Sequence, residues 1–461
     1  MVDSPRRRSD YYTAWVSGML FPLHERFKGH ASVKLRKSME RSQWLSPEQI
    51  VQGQLDGLRQ LLSHAQAHVS YYRKLFGAVG LAPNDIRSLQ DLQGLPLLDK
   101  EKIRANLDTL RADNAHGLAR FNTGGSSGEP LVFYIGKERV SHDIAAKWRA
   151  TRWWGVDIGD PEIVLWGSPI ELGAQDRLRS LRDYLLRSKL LPAFEMSDQK
   201  LEHFLATIRR FRPKMLFGYP SALSHIAQYA DRKGMEMNDI GIQVAFVTSE
   251  RLYDDQRRQI GATFGCPVAN GYGGRDAGFI AHECPAGGMH ITAEDIIVEI
   301  IDAGGRVLPH GEAGEIVVTH LASGDFPFIR YRTGDIGVLD DKSCTCGRGL
   351  PLLREIQGRS TDFVVAQDGT IMHGLALIYI LRDMPQIRAF KIIQETLDFT
   401  RILIVTASSL NQADASHIVA AFQSRLGKQV VVKVEQVSEM PAEKSGKFRY
   451  VISKVAVPAE Q

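Results

Sequence analysis

Asn122-Thr123-Gly124-Gly125-Ser126-Ser127-Gly128-Glu129-Pro130 packs three glycines, two serines and a threonine into nine residues. Such a run lets backbone N–H groups converge, and its small hydroxyls add donors, so it suits an anion such as phosphate. It is not a Walker A loop, because the G-x-x-x-x-G-K-[ST] spacing and its lysine are missing. It does match G-x-S-x-G around Ser126, which keeps a serine hydrolase open. That elbow requires a helix after the serine, whereas Leu131-Val132-Phe133-Tyr134-Ile135 reads as a strand. A hairpin tip around phosphates fits better, and an ordinary Gly/Ser turn is the plain alternative.

Other islands fall at the ends of expected strands. Ile242 to Val247 runs into Thr248-Ser249-Glu250, and Pro267 to Asn270 runs into Gly271-Tyr272-Gly273-Gly274-Arg275-Asp276. Tyr331-Arg332-Thr333-Gly334-Asp335, Gly358-Arg359-Ser360-Thr361-Asp362 and Gly446-Lys447 follow. Ligands of parallel sheets collect at the carboxyl ends of strands, which is where the first two islands sit.

The elements that must position these groups read in order. Residues 1–115 are mainly helical, with Ile50, Leu55, Leu58 and Leu62 near helical period and Asp99 as an N-cap. Ala14 to Leu23, with Trp15 and Phe21, reads as a docking helix and not a membrane anchor. Residues 116–275 alternate strands and helices. Val140, Ile144 and Trp148 mark one helix, and Ser221 is expected to cap another. Arg177, Arg179, Arg182 and Arg187 read as a solvated helix face, with an anion site as the alternative. Residues 276–360 are rich in antiparallel strand signals, and 363–461 form a small lobe of hairpin, helix and strand. The expected class is α/β with an α+β C-terminal lobe. A large N-terminal domain (1–362) of mixed sheets with covering helices and a β-rich subdomain precedes a small, mobile C-terminal domain (363–461).

Composition bounds the partners. The 461 residues exceed one core, and 44% hydrophobic with 24% charged side chains is an ordinary globular balance. A net charge of +4, from 57 basic and 53 acidic residues, gives no case for nucleic acid. No apolar run reaches the length of a membrane span. Arg6-Arg7-Arg8 lies between Asp3 and Asp10 with no long apolar stretch behind it, which argues against a signal peptide. Four cysteines make no disulfide scaffold, so a reducing cytoplasm is expected.

Taken together, these islands resemble the adenylate-forming superfamily of acyl- and aryl-CoA ligases, luciferases and peptide-synthetase adenylation domains. The similarity is greatest to the phenylacetate–CoA ligase branch, including relatives described as capsular polysaccharide biosynthesis proteins. It is carried by the Gly124-to-Pro130 run, by Tyr331 to Asp335, by Cys344-x-Cys346-Gly347-Arg348 upstream of Gly358-Arg359, and by Tyr71-Tyr72-Arg73. The resemblance implies an AMP-forming ligase acting on ATP, Mg²⁺, a small-molecule carboxylic acid and coenzyme A. Thr123, Gly124, Gly125, Ser126, Ser127 and Gly128 would hold phosphates. Ser249 and Glu250 would border the nucleotide, and Gly271, Tyr272 and Gly273 would pack against adenine. Asp335 would accept from the ribose hydroxyls, with Arg359 assisting. Asp276 stands where relatives carry a glutamate associated with Mg²⁺. Lys447 would bridge carboxylate and α-phosphate, and Asp362 would be the hinge about which the C-terminal lobe rotates. Thr361 replaces a frequent second acid, and Val365 to Thr370 departs from the usual loop at the thiol tunnel. An amine or a carrier-protein thiol, as in surface polysaccharide assembly, is therefore the alternative acceptor, and a non-catalytic scaffold is a third reading.

Two further sets remain. Trp166, Tyr219 and Pro220, with Ser249 and Tyr272, are candidate walls of an acid pocket. They include no basic group, so an aromatic or medium apolar acid is expected; the plain alternative is core. Cys284, Cys344 and Cys346 lie near His282 and His290, and thiolates with imidazole in fours suit structural Zn²⁺. The spacing is not that of a standard finger, and reduced thiols are the alternative. The resemblance favours His290 as the fourth ligand.

Overall fold

Apolar runs buried on both sides build the centre of the chain. In the computed structural model, which describes residues 11–122, 131–166, 177–193, 198–359, 363–406, 410–440 and 449–455, the first strands are β1 (Ala119–Asn122) and β2 (Val132–Ile135). They pair antiparallel, with Asn122 opposite Val132. Then come β3 (Glu162–Trp166), β4 (Ser188–Pro192), β5 (Met215–Gly218), β6 (Val244–Thr248) and β7 (Val268–Gly274). The series continues with β8 (Gly278–Glu283), β9 (Met289–Ile291), β10 (Ile296–Ile301), β11 (Ala313–His320), β12 (Tyr331–Asp340) and β13 (Leu352–Arg359). These eleven strands form one sheet in the order β10-β11-β12-β13-β9-β8-β7-β6-β5-β3-β4. Pairing is parallel from β4 through β7 and antiparallel for β7–β8 and β8–β9. The strand-rich stretch after residue 276 thus extends the sheet begun before it.

Alternation explains the unbroken apolar strands. Leu216, Ala245 and Val247 join one core with Leu201, Phe204, Leu223, Ile226, Ile260 and Phe264 from helices Asp198–Phe211, Pro220–Arg232 and Asp254–Phe264. Met215, Phe217, Val244 and Phe246 join another, with Ala150 and Trp153 of helix Lys137–Trp153. Of the three residues expected to mark that helix, Trp148 is fully buried. Val140 and Ile144 are half-buried, whereas Arg139, Ala145, Ala146, Trp148 and Arg149 are buried. The guanidinium groups find partners there: Arg149 Nη1 lies 2.6 Å from Glu294 and Arg139 Nη2 donates to two carbonyls. Helix Pro47–His68 begins in a capping box of Ser46 and Gln49, and Asp99 accepts from Lys102 N–H at 2.8 Å as the N-cap of helix Lys100–Ala105.

The chain divides into two compact units, one of Met1–Thr333 with Gly337–Ile356, the other of Gly334–Ile336 with Gln357–Gln461. The second contains a hairpin of β14 (Phe363–Val365) and β15 (Ile371–His373), and helix Leu375–Arg382. Its sheet has the order β18-β17-β16-β19, from β16 (Ile387–Thr396), β17 (Phe399–Thr406), β18 (Val431–Gln436) and β19 (Val451–Ser453). Ile418 and Phe422 of helix Gln412–Leu426 are buried, as are Phe390, Ile392, Ile402 and Ile404. Buried Gln394 donates to Val365 O at 2.6 Å and accepts from Val365 N–H and the Ser453 hydroxyl, tying β14, β16 and β19 together.

Arg330 joins the helical lead-in to the large sheet. Its Nε lies 3.0 Å from buried Glu299, and Nη1 donates to Leu95 O at 2.6 Å and Gln93 O at 3.1 Å. Burial pushes the Glu299 carboxyl up, and the guanidinium opposes that shift. Truncation leaves a buried carboxylate unpaired, which typically costs about 3–5 kcal/mol. Arg330→Ala is expected to lower the midpoint of thermal unfolding by several degrees in a calorimetric scan, far more than Arg306→Ala, whose salt bridge is exposed.

Candidate functional site

Register places one residue of each central strand at a common edge. Leu165 pairs with Gly218, Gly218 with Val247, and Thr248 with Gly271. One step on, Trp166, Tyr219, Thr248 and Gly271 are level along the carboxyl rim of β3, β5, β6 and β7, and Ser249 and Tyr272 follow one residue further along β6 and β7. Two glycines permit this spacing: a side chain at Gly218 would run into the Leu165 carbonyl, and one at Gly271 would meet the Phe246 ring at 2.8 Å.

The rim is tied together locally. Trp166 and Tyr219 stack with centroids 4.6 Å apart and planes 22° from parallel. Tyr219 is buried and precedes helix Pro220–Arg232, whose first position is Pro220. Ser221 does not cap this helix. Proline brings no N–H, so Ser221 carries the first free donor, and Glu250 Oε2 accepts it at 3.2 Å. Ser249, between β6 and Glu250, has φ 71°, a left-handed conformation that a non-glycine side chain rarely takes. Backbone strain of this kind concentrates at binding sites.

Past Gly273 the chain turns into β8, and Asp276 lies in that turn. The Tyr331 hydroxyl donates to Asp276 Oδ2 at 2.7 Å. Arg139, buried beneath the turn with its guanidinium 5.2 Å from the Phe328 ring, donates to the Arg275 and Asp276 carbonyls at 2.9 and 2.8 Å. Burial lowers its affinity for a proton, while Asp143 and Asp276 raise it. Tyr331 and Arg139 hold this carboxylate and its turn; the tyrosine opens the Tyr331-to-Asp335 motif, whereas no motif singled out Arg139.

Asp335 is half-buried on β12, after Gly334 with φ 78°. Arg359 ends β13; its side chain, together with Thr123 to Gly128, Asp362 and Lys447, lies outside the described residues.

Four further donors converge in the first unit. Cys284 follows β8, His290 is on β9, and Cys344 and Cys346 lie in the loop after β12. Their ligand atoms all lie within 4.8 Å of one another. Cys284 Sγ is 3.6 Å from Cys344 Sγ, too far for a disulfide, and Cys346 Sγ is 3.2 Å from His290 Nε2. Sulfurs bound tetrahedrally to one zinc at 2.3 Å sit about 3.8 Å apart. His290 Nδ1 donates to Leu350 O at 3.4 Å, which turns Nε2 toward the thiols. Burial pulls His290 down to about 4, so the ring is neutral at pH 7, and pushes the Cys284 thiol up to about 12. For Cys346 burial pushes upward, but hydrogen bonds from Arg348 and Cys344 bring the thiol below its ordinary value. A side chain at Gly288 would meet Cys344 Sγ at 2.6 Å, so glycine keeps the cradle open. His282 lies elsewhere, buried between the Phe246 and Phe279 rings.

Comparison with known proteins agrees with this architecture. A model of AMP-binding enzymes matches residues 188–322, and a model of the CapK C-terminal domain matches residues 364–454. Protein CapK of Staphylococcus aureus is 23% identical over 85% of this chain and 87% of its own. Phenylacetate-coenzyme A ligase of Pseudomonas putida is 29% identical over 69% of this chain and 73% of its own. The crystal structure of a 2-hydroxyisobutyryl-CoA ligase with R3-HIB-AMP, in the postadenylation state, superposes with a TM-score of 0.72 at 21% identity, covering 90% of this chain and 92% of that one. Fold and matches define an adenylate-forming enzyme, of the class of AMP-forming acid–thiol ligases. Within that superfamily the chain is similar to phenylacetate–CoA ligases and to CapK.

Proposed function

We propose that the chain adenylates an aromatic or medium apolar carboxylic acid with ATP, releases pyrophosphate, and transfers the acyl group to coenzyme A. The observation that carries this reading is the carboxyl edge of β3, β5, β6 and β7, which gathers Trp166, Tyr219, Ser249 and Tyr272, with Asp276 in the turn that follows β7. The stacked Trp166–Tyr219 pair offers an apolar wall for an acid with an apolar body. The relatives named phenylacetate-coenzyme A ligases support it.

In the first step a carboxylate oxygen attacks the α-phosphorus of ATP, the bond to the β-phosphate oxygen breaks, and pyrophosphate leaves. Both reactants are anions, so the site must supply donors and positive charge. Thr123 to Gly128, the segment between paired β1 and β2, would hold the β- and γ-phosphates through N–H groups and hydroxyls. Mg²⁺, when bound with the nucleotide, neutralises phosphate charge. Asp276 would hold it, and the Tyr331 hydroxyl donates to that carboxylate. Gly271 to Gly273 would pack on adenine, Asp335 would accept from the ribose with Arg359 beside it, and Lys447 would bridge the reacting oxygens. In the second step a thiolate attacks the acyl carbonyl and AMP leaves, after rotation of the C-terminal lobe about Asp362.

One observation favours a second acceptor: the family model that matches the C-terminal lobe is that of CapK. An amine or a carrier-protein thiol then replaces coenzyme A, with adenylation unchanged. Pyrophosphate release, measured against a panel of acids with and without coenzyme A, separates the two. Turnover that rises with coenzyme A is the expected result, and Lys447→Ala should reduce it at least about a hundredfold while nucleotide binding persists.

We also propose that Cys284, His290, Cys344 and Cys346 hold one structural zinc ion. Elemental analysis of protein purified without chelator should find about one zinc per chain, absent from Cys284→Ser. Zinc added to stripped protein at neutral pH should release protons, because the Cys284 thiol is otherwise protonated. Stoichiometric reaction of all four cysteines with a thiol reagent in metal-free, fully stable protein would count against the site.

A further inference from the structure

The first described helical segment wears its apolar residues on the outside. Helix Tyr11–Trp15, a π turn over Val16–Leu20 and helix Phe21–Lys28 run on without a break. Thr13, Val16, Phe21 and Glu25 face inward and are buried. Outward stand Tyr11 (95% exposed), Trp15 (42%), Met19 (50%), Leu23 (49%) and Phe27 (89%). Their spacing of four would drift by about 40° per step around an ideal α-helix. The π turn, with more residues per turn, rotates the series back and keeps it on one side. A surface helix normally has the opposite arrangement, and apolar side chains grouped in this way mark a binding surface.

The charges around the stripe indicate what covers it. Residues 11–41 expose Arg26, Lys28, Lys34, Lys37 and Arg41, while Arg36 is buried. Neither acid in this stretch is available to a partner: Glu25 is buried against His30 and Ser32, and Glu40 pairs with Arg36 and Arg152. Arg26 and Lys28 flank Phe27 in the last turn. The neighbouring helix Arg177–Leu185, held by the Tyr12 hydroxyl at Leu185 O, adds exposed Leu181 and Tyr184. Two copies docking through this face about a twofold axis would oppose like charges. No described helix is long and apolar enough to cross a bilayer.

We propose that this face seats the protein on an anionic bilayer surface. The segment lies in the interface with Trp15, Met19, Leu23 and Phe27 among the acyl chains and Arg26 and Lys28 at the headgroups.

The test is flotation of the full chain with vesicles of phosphatidylcholine alone or with phosphatidylglycerol as a minor component. Binding should require the anionic lipid, weaken with salt, and fall at least about tenfold in Trp15→Ser/Phe27→Ser, whose thermal unfolding midpoint stays unchanged. Absence of flotation, or equal flotation of the double variant, would overturn the proposal. A dimer seen by light scattering and abolished by the double variant would assign the face to a second copy and overturn it as well.

Discussion

In-register parallel pairing is the constraint on which the candidate site depends. Because β3, β5, β6 and β7 pair in step, the chain leaves all four at one edge, and residues far apart in sequence become neighbours. Close approach at Gly218 and Gly271 keeps that step, since a methyl group at either position would force the strands or the Phe246 ring apart. The same register sets where the following helix starts. Glu250, one residue past the strained Ser249, reaches the N-terminus of helix Pro220–Arg232. The favourable approach of a carboxylate to a helix N-terminus helps to hold a backbone conformation that would otherwise relax.

Buried charge supplies a second level of order. Arg139, Arg149 and Arg330 each sit inside the first unit and bond across elements: to the Asp276 turn, to Glu294, and to Glu299 with the helical lead-in. An apolar side chain could fill the same volume, but it would not fix where a carbonyl or carboxylate points. The arginines therefore set direction where packing sets only proximity. At the Asp276 turn the result is a carboxylate whose position is fixed from two sides, through its oxygen by Tyr331 and through its backbone by Arg139.

Much of this was legible in the residues. Strands and helices of 116–275, the β1–β2 pairing and the hairpin of the C-terminal lobe follow from periodicity and turn chemistry, because both faces of the sheet bury apolar runs. The rim candidates were recognisable because strand ends can be read from where apolar runs stop. The burial of Arg139 and Arg149 on helix Lys137–Trp153 was not, since a pattern of apolar residues cannot show that they find internal partners. Tyr331 as the partner of Asp276 was equally hidden: 55 positions separate them, and only the sheet brings them together. The outward stripe of Tyr11 to Phe27 gave the opposite difficulty. Its residue types signal docking, while the side left exposed depends on the π turn and on buried Glu25, which no periodicity at 3.6 residues reveals.

The cysteine and histidine cluster gains meaning from its place in the same sheet. β8 starts at the Asp276 turn and ends beside Cys284, and β9 returns with His290. Whatever fixes the far end of this strand pair also limits sliding at the near end, where one residue of slip would send every side chain to the other face. Glu283 reinforces the far end, accepting from Arg257 at 2.9 Å and from Asn270 N–H at 2.8 Å. Gln43 reaches the same region, accepting from Trp153 Nε1 at 2.8 Å and Arg348 Nε at 3.2 Å, so the N-terminal helices and the Cys346 loop share one anchor. A metal held there need not approach a substrate to matter. By pinning β8 and β9 it would act on the register of the turn that presents Asp276, through the strand and not through space.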